Sequence, residues 1–392
     1  MNAAVVVERL RELDARSGGR RVAWGPKWRE ERERFVAWLR AEVPGVDVTF
    51  DCAGNLWARR AGESPETVII GSHMDCVPDG GWLDGCLGLF AAAEVLRSTT
   101  EHRRSLALVD WADEEGSRFG HSLLGSSAAA GLLDVQAAGA LRDAEGVSLA
   151  EALDANGILL SEMPGAAAQL DDAVAYAELH IEQGPVLDDA GIPASAVDGC
   201  LGVRRSEVVF TGRAGHAGAT PMDRRRDPMA AAARWTLAAR DAAREAGGLA
   251  TIGALRTEPG TPTAIAERAR ASVDLRHRDR DALMAMHTAV RAAADEAGAA
   301  EDCAVAAAPL WEIDPVAFDP ELVTRAAALT SPALTSGPLH DAAAVARAGV
   351  PAVMIFARTR GGVSHSREED ADEADLVTAI EAYAALVSEL VT

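Results

Sequence analysis

The stretch "GSHMDCVPDGGWLDG", Gly71 to Gly85, sets His73 two residues before Asp75 and eleven before Asp84. An imidazole and carboxylates in such a loop can hold a divalent cation, and three more segments offer the same donor types. "VDWADEEGSRFG" carries Glu114 and Glu115, "AYAELHIEQG" carries His180, and "RTRGGVSHSREED" carries His365. Singly, each has a plain structural explanation: a packed histidine, a helix N-cap at Asp84, a solvated loop at the paired glutamates. Together, His73, Asp84, Glu115, His180 and His365 form the mixed nitrogen and oxygen set that a pair of borderline divalent ions prefers. Two cations ~3.5–4 Å apart repel strongly unless a carboxylate lies between them. Side chains at 114 and 115 can point in different directions, so one can bind metal while its neighbour handles a proton.

These residues need elements that bring them together. "TVIIG", "SLALV" and "VPAVMIFA" read as buried strands, and the donors lie at or beyond their carboxyl ends, where open α/β sheets place ligands. Asp75, two positions from His73, projects from the same face of an extended chain; its carboxylate is expected to fix the imidazole tautomer. Asp84 stands just before the helical pattern "GCLGLFAAAEVL". Strand runs alternating with "GLFAAAEVLRS" and "SLLGSSAAAGLL" predict an α/β fold, a mostly parallel sheet with helices on both faces.

Near Gly199 the character changes. "RSEVVFTG", "TIGALRT" and "ARASVDLR" are β-rich, and two alanine-rich helical stretches, Asp227–Ala246 and Asp279–Gly298, lie among them. From Phe318 the α/β rhythm returns. The expected organisation is a catalytic domain built from 1–202 and 314–392, with an α+β domain, 203–313, inserted into it.

Composition removes several function classes. With 392 residues the chain suits two domains, and its net charge of −22 opposes a broad phosphate-binding surface, so no nucleic-acid partner is expected. Arg224–Arg226 is the one basic run and reads as a solvated loop or an anion contact. Lys27 is the only lysine, in a context that fits neither a phosphate-binding loop nor a Schiff base. Five scattered cysteines without a CxxC pair argue for a reducing, cytoplasmic compartment. No apolar run is long enough to span a membrane, and the opening residues read as an amphipathic helix, not a signal peptide.

The quoted motifs, with "ELHIEQGP", "GHAGATPM" and "GGVSH", resemble in order and context the dinuclear zinc amidases of the hydantoinase/carbamoylase type. The branch is that of N-carbamoyl-L-amino acid hydrolase, allantoate amidohydrolase and β-ureidopropionase. The resemblance implies a zinc-peptidase-like fold whose inserted domain acts as lid and dimerisation element. It implies two divalent ions, Zn²⁺ first and Mn²⁺, Co²⁺ or Ni²⁺ as alternatives. His73 and His180 would hold one ion, Glu115 and His365 the other, with Asp84 bridging and Glu114 as general base. His216, in "FTGRAGHAGATPMD", matches a histidine that stabilises the oxyanion, often across a dimer interface. Arg276 matches the arginine that binds the substrate carboxylate, and Arg205 and His340 match other positions expected to contact substrate. Gln183 is expected at the nitrogen end of the substrate, and Thr263 stands where the pattern has an Asn expected to hydrogen-bond it.

The sequence departs from the pattern at Val203, Gly215, Thr263, Pro338 and Leu339, all among the expected substrate neighbours and none among the metal ligands. The expected activity is hydrolysis of an N-carbamoyl-L-amino acid or related ureido acid by a cytoplasmic homodimer. An N-acyl amino acid deacylase or dipeptidase is the enzymatic alternative. A metal-free scaffold is the non-enzymatic one, against which the intact Glu114 and complete donor set argue.

Overall fold

The structure is a computed structural model that describes residues 1–100 and 102–392. The chain divides into two compact units, Met1–Gly199 with Ala317–Thr392, and Cys200–Val316. These boundaries differ by three residues from those expected. Strand Ala194–Cys200 pairs in the large sheet, whereas Gly202–Thr211 pairs only in the small one, so the break falls at the last residue of the first.

The sheet of the larger unit runs, from one edge, Asp47–Phe50, Leu56–Arg60, Arg104–Trp111, Ser64–His73, Ala173–Ile181, Ala352–Ala357, Ala194–Cys200. The middle four strands are parallel and the flanking pairings antiparallel. The centre of the sheet is therefore parallel, as the alternation of strands and helices predicts. Val68–His73, Leu106–Trp111, Ala175–Ile181 and Ala352–Ala357 are buried without a break. A strand buried at every position needs cover on both faces, which is why these runs lack polar alternation. Helices Cys86–Ser98 and Glu373–Val391 pack on the sheet and on each other, and Leu124–Ala129 and Asp341–Arg347 form a second pair. "SLLGSSAAAGLL" yields a shorter helix than expected, because Leu123 at φ 60° starts it late and Gly131 at φ 68° ends it.

In the parallel register His73 lies beside Trp111, and His180 beside Phe356. The carboxyl ends of all four parallel strands thus align at one edge of the sheet, and the loops leaving them are forced together.

The smaller unit has an antiparallel sheet in the order Ala304–Ile313, Gly202–Thr211, Arg268–His277, Leu249–Glu258. Helices Pro228–Ala246 and Arg280–Ala300 bury Trp235, Leu283, Met286 and Val290 against Phe210, Val273 and Leu275. Asp227 and Asp279 cap them, each accepting backbone N–H bonds from the first turn. Among the described residues no helix is long and apolar enough to cross a membrane.

Candidate metal centre

His73 is the last residue of its strand, and Asp84 follows on the loop that enters helix Cys86–Ser98. Gly85 caps that helix at φ 63°, and a Cβ there would fall 2.4 Å from His73 Cε1. Only glycine lets the helix start against the imidazole. Glu114 and Glu115 leave the turn after Trp111, His180 is the penultimate residue of its strand, and His365 sits beyond Ala352–Ala357. Asp113, Gln183 and His365 hold positive φ of 59°, 59° and 53°, a conformation that is uncommon outside glycine and recurs at functional sites.

The five expected ligands converge in two groups. The donor atoms of His73, Asp84 and His180 lie within 4.8 Å of one another, as do those of Asp84, Glu115 and His365. Asp84 belongs to both. Its Oδ1 is 3.1 Å from His180 Nε2 and 3.8 Å from His73 Nε2, while its Oδ2 is 3.2 Å from His365 Nε2. His365 Nε2 lies 3.4 Å from Glu115 Oε2, and Glu114 Oε2 lies 3.7 Å from His73 Nε2.

The rings of His73 and His180 are held by carbonyls. His73 Nδ1 lies 3.1 Å from the backbone oxygen of Asp75, and His180 Nδ1 lies 3.0 Å from that of Ile181. If Nδ1–H donates in each, Nε2 offers its lone pair to the site. Asp75 meets the His73 ring mainly through its carbonyl, with its carboxylate Oδ1 farther from the same Nδ1, at 3.6 Å. The carboxylate is taken up by the backbone N–H groups of Glu114, 3.2 Å to Oδ1, and Glu115, 3.1 Å to Oδ2. Asp75 thus ties the His73 strand end to both glutamates.

Two observations show that these residues fit cations. The buried Nε2 of His73 has no hydrogen-bond partner among the described residues, and that of His180 faces only the Asp84 carboxylate, which is costly unless something else takes them. Carboxylates are also crowded together out of water. Burial, then Asp341, Glu115, Asp75 and Asp84, hold the Glu114 carboxyl far above its usual range. Burial and Asp84 push Glu115 up to about 8. Burial works against the charge on Asp84 too, but His180 and His365 outweigh it and keep Asp84 ionised. Burial and the neighbouring charge of His180 bring His73 down to about 3, against the pull of Asp84. Divalent ions would neutralise this cluster at the point where the protein's own cations fall short.

Several contributors went unrecognised in the sequence. Glu369 Oε1 accepts the N–H groups of Leu83 and Asp84, at 2.8 and 3.1 Å, and so holds the bridging aspartate's backbone. Ser364 Oγ donates to Asp84 Oδ2 at 3.1 Å. Gln183, expected at the nitrogen end of the substrate, donates its amide to Asp84 Oδ2 at 2.8 Å and to Ser364 Oγ at 3.1 Å. His340, expected to touch substrate, is 1% exposed; its ring lies 4.3 Å from that of His180 and its Nε2 faces Ser336 Oγ at 3.1 Å. Cys76 is a buried thiol that accepts the backbone N–H of Arg21 and joins neither ligand group.

His216, Arg205, Thr263 and Arg276 belong to the smaller unit. His216 is exposed on a two-residue strand paired with Ala264–Ile265, and the N–H of the following Ala217 reaches Thr263 O at 3.0 Å. Arg225, from the basic run, secures this turn by donating to Thr220 O and Ala217 O, and Arg226 pairs with Asp302. Asp274, which the sequence reading passed over, binds both arginines. Arg205 reaches its Oδ2 at 2.7 Å and Arg276 its Oδ1 at 2.8 Å. Val203 is fully buried and in register with Arg276.

The sequence pattern of peptidase family M20/M25/M40 matches residues 69–389. The chain belongs to that family. It is 37% identical over 380 residues to N-carbamoyl-L-amino acid amidohydrolase of Geobacillus stearothermophilus, covering 93% of this chain and 92% of that one. It is 33% identical over 396 residues to allantoate amidohydrolase of Escherichia coli K12, covering 96% and 94%. The crystal structure of a hydantoinase/carbamoylase family amidase from Burkholderia ambifaria superposes with a TM-score of 0.87 at 32% identity, covering 100% and 98%. Family membership and the two donor groups support divalent metal binding. The M20/M25/M40 match contains every residue of those groups and begins downstream of the first two helices.

Proposed function

We propose that the protein is a dinuclear-metal amidohydrolase that cleaves the C–N bond of an N-carbamoyl-L-amino acid or a related ureido acid such as allantoate. The observation that carries this reading is Asp84, with one carboxylate oxygen turned to each ligand group, beside the buried Glu114. One ion would be held by His73 and His180 and the other by Glu115 and His365, with Asp84 shared. Zn²⁺ suits this donor set, and Mn²⁺, Co²⁺ or Ni²⁺ accept it. Bound there, such ions supply Lewis acidity and make water acidic enough to serve as a nucleophile near neutral pH.

Glu114 would take a proton from the attacking water and deliver it to the departing nitrogen. Its raised proton affinity suits a carrier that must both accept and return a proton, and cations nearby would bring it back toward neutrality. An N-carbamoyl substrate and one water yield the amino acid, carbon dioxide and ammonia. In the smaller unit the proposal assigns the developing oxyanion to His216, where one donor is worth about 3 kcal/mol or more. It assigns the substrate carboxylate to Arg276, whose guanidinium Asp274 orients, with Arg205 and Thr263 as further contacts and Gln183 and His340 in the larger unit. A cytoplasmic homodimer completes the reading, supported by free cysteines and by the apolar Leu249 and Leu237, both exposed, on the edge strand of the smaller unit and the helix packed against it.

The test is an assay of protein loaded with Zn²⁺ or Mn²⁺ on carbamoyl-, formyl- and acyl-amino acids and allantoate, detecting ammonia and free amine separately. Ammonia from carbamoyl or ureido substrates is expected. Release of carboxylate from acyl substrates alone would favour a deacylase or dipeptidase, and inactivity throughout would overturn both.

A further inference from the structure

The N-terminal segment lies upstream of the family match at residue 69, yet it grips the loops of the metal centre at three points. The Arg21 guanidinium donates through Nε to Met74 O at 3.0 Å, between His73 and Asp75. Arg32 Nε donates to Asp110 Oδ2 at 2.6 Å, and the other oxygen of Asp110 accepts the N–H of Met74 at 2.8 Å. Trp24 Nε1 donates to Asp113 Oδ2, also at 2.6 Å, beside Glu114.

The third grip is the unusual one. Trp24 and Asp113 are both buried, and both hold left-handed backbone, φ 63° and φ 59°. That conformation costs an L-residue roughly 1–2 kcal/mol. A buried indole needs a partner for its N–H, but many carbonyls could serve without straining either residue. Here two strained residues meet through one short bond. The Asp113 turn is also closed from outside, since Leu124 N–H donates to Asp113 O at 3.1 Å and Leu123 N–H to Glu114 O at 2.6 Å. Glu114 itself is fixed through its N–H to Asp75. The direction in which the Glu114 side chain leaves the turn follows from the backbone of Asp113, whose carboxylate is held by the indole from outside the turn and by the backbone N–H of Gly116 within it.

We infer that Trp24 is a positioning residue for Glu114, acting through Asp113, so that the segment before the family match is part of the catalytic apparatus. The inference rests on the reading of Glu114 as proton carrier. Trp24→Phe keeps the aromatic packing and removes the N–H; Asp113→Ala removes the acceptor; Asp113→Asn keeps an acceptor oxygen for the indole. Full-length protein loaded with Zn²⁺ is measured for kcat, KM, bound zinc and melting temperature. Trp24→Phe and Asp113→Ala are expected to lose roughly 10- to 100-fold in kcat, the cost of misplacing a reacting group by about 1 Å. KM should stay within about twofold and the two ions should remain bound. Asp113→Asn should recover most of the loss, and the double variant Trp24→Phe/Asp113→Ala should be no worse than the poorer single one.

The inference is overturned if Trp24→Phe keeps kcat within about twofold of the wild type, or if its loss tracks zinc content or melting temperature. Should Trp24→Phe not fold, the contrast between Asp113→Ala and Asp113→Asn carries the same decision. Glu114→Gln keeps the two ideas apart. If it is fully active, the proton-carrier reading fails; if it is inactive while Trp24→Phe is unimpaired, only the positioning role fails.

Discussion

Loading the centre with metal should expel protons, in a number set by the clustering around Asp84. Without ions, burial works against a charged His180, but Asp84 and Glu178 outweigh it and push the ring up to about 9. Asp84, against the effect of burial and with help from Glu115, raises His365 to about 9. Glu115 stands at about 8 through burial and Asp84. At pH 7 groups with these values hold about 2.9 protons between them, whereas the ordinary values of two histidines and a glutamate give about 0.5. Metal ligands bind unprotonated, so uptake should release about three protons, and Glu114, also raised, can add another. The sign follows: these pKa values are raised, so affinity rises with pH through neutrality, by about three log units per pH unit near pH 7, and levels off above about 9. Calorimetric titration of the metal-free protein with Zn²⁺ at pH 7, in buffers of different ionisation enthalpy, gives the proton count as a slope. A count of one or fewer would mean that these side chains do not share the charge of Asp84, and the bridged arrangement would be refuted.

Glu114→Gln should lower kcat by roughly 10²- to 10⁴-fold while elemental analysis still finds two ions, because it removes the proton carrier and no ligand. Gly85→Ala places a Cβ against His73 in left-handed backbone, so thermal unfolding should show a loss of at least about 1 kcal/mol together with weaker metal uptake; wild-type values of both would contradict the packing described. Arg276→Lys keeps the charge but loses the two-pronged grip, so steady-state kinetics should show KM raised roughly 10- to 100-fold, from about 1.5–3 kcal/mol, with kcat little changed.

Much of the centre could be read from the sequence because its donors sit where apolar strand runs stop. A strand of buried residues ending in His73 or His180 places the histidine at the sheet's carboxyl edge, and the parallel register makes those ends neighbours. What escaped depends on which atom of a residue is used and on contacts between distant segments. A two-residue spacing puts Asp75 beside His73 but does not say whether carbonyl or carboxylate reaches the ring. Glu369 lies 285 positions from Asp84, and Trp24 lies 89 from Asp113, so nothing local marks either pair. Asp274 is hidden in an ordinary alternating strand; only the antiparallel register opposite Arg205 reveals that it orients two arginines. Positive φ at Asp113, Gln183 and His365 had no glycine to signal it.

In the proposed centre, five side chains from separate loops hold two ions sharing one carboxylate. Anomalous X-ray diffraction from crystals grown with Zn²⁺, collected on either side of the zinc absorption edge, tests it most directly. Two peaks are expected, one beside His73 and His180 and one beside Glu115 and His365, with Asp84 touching both. A single peak, or two peaks that Asp84 does not join, would contradict it.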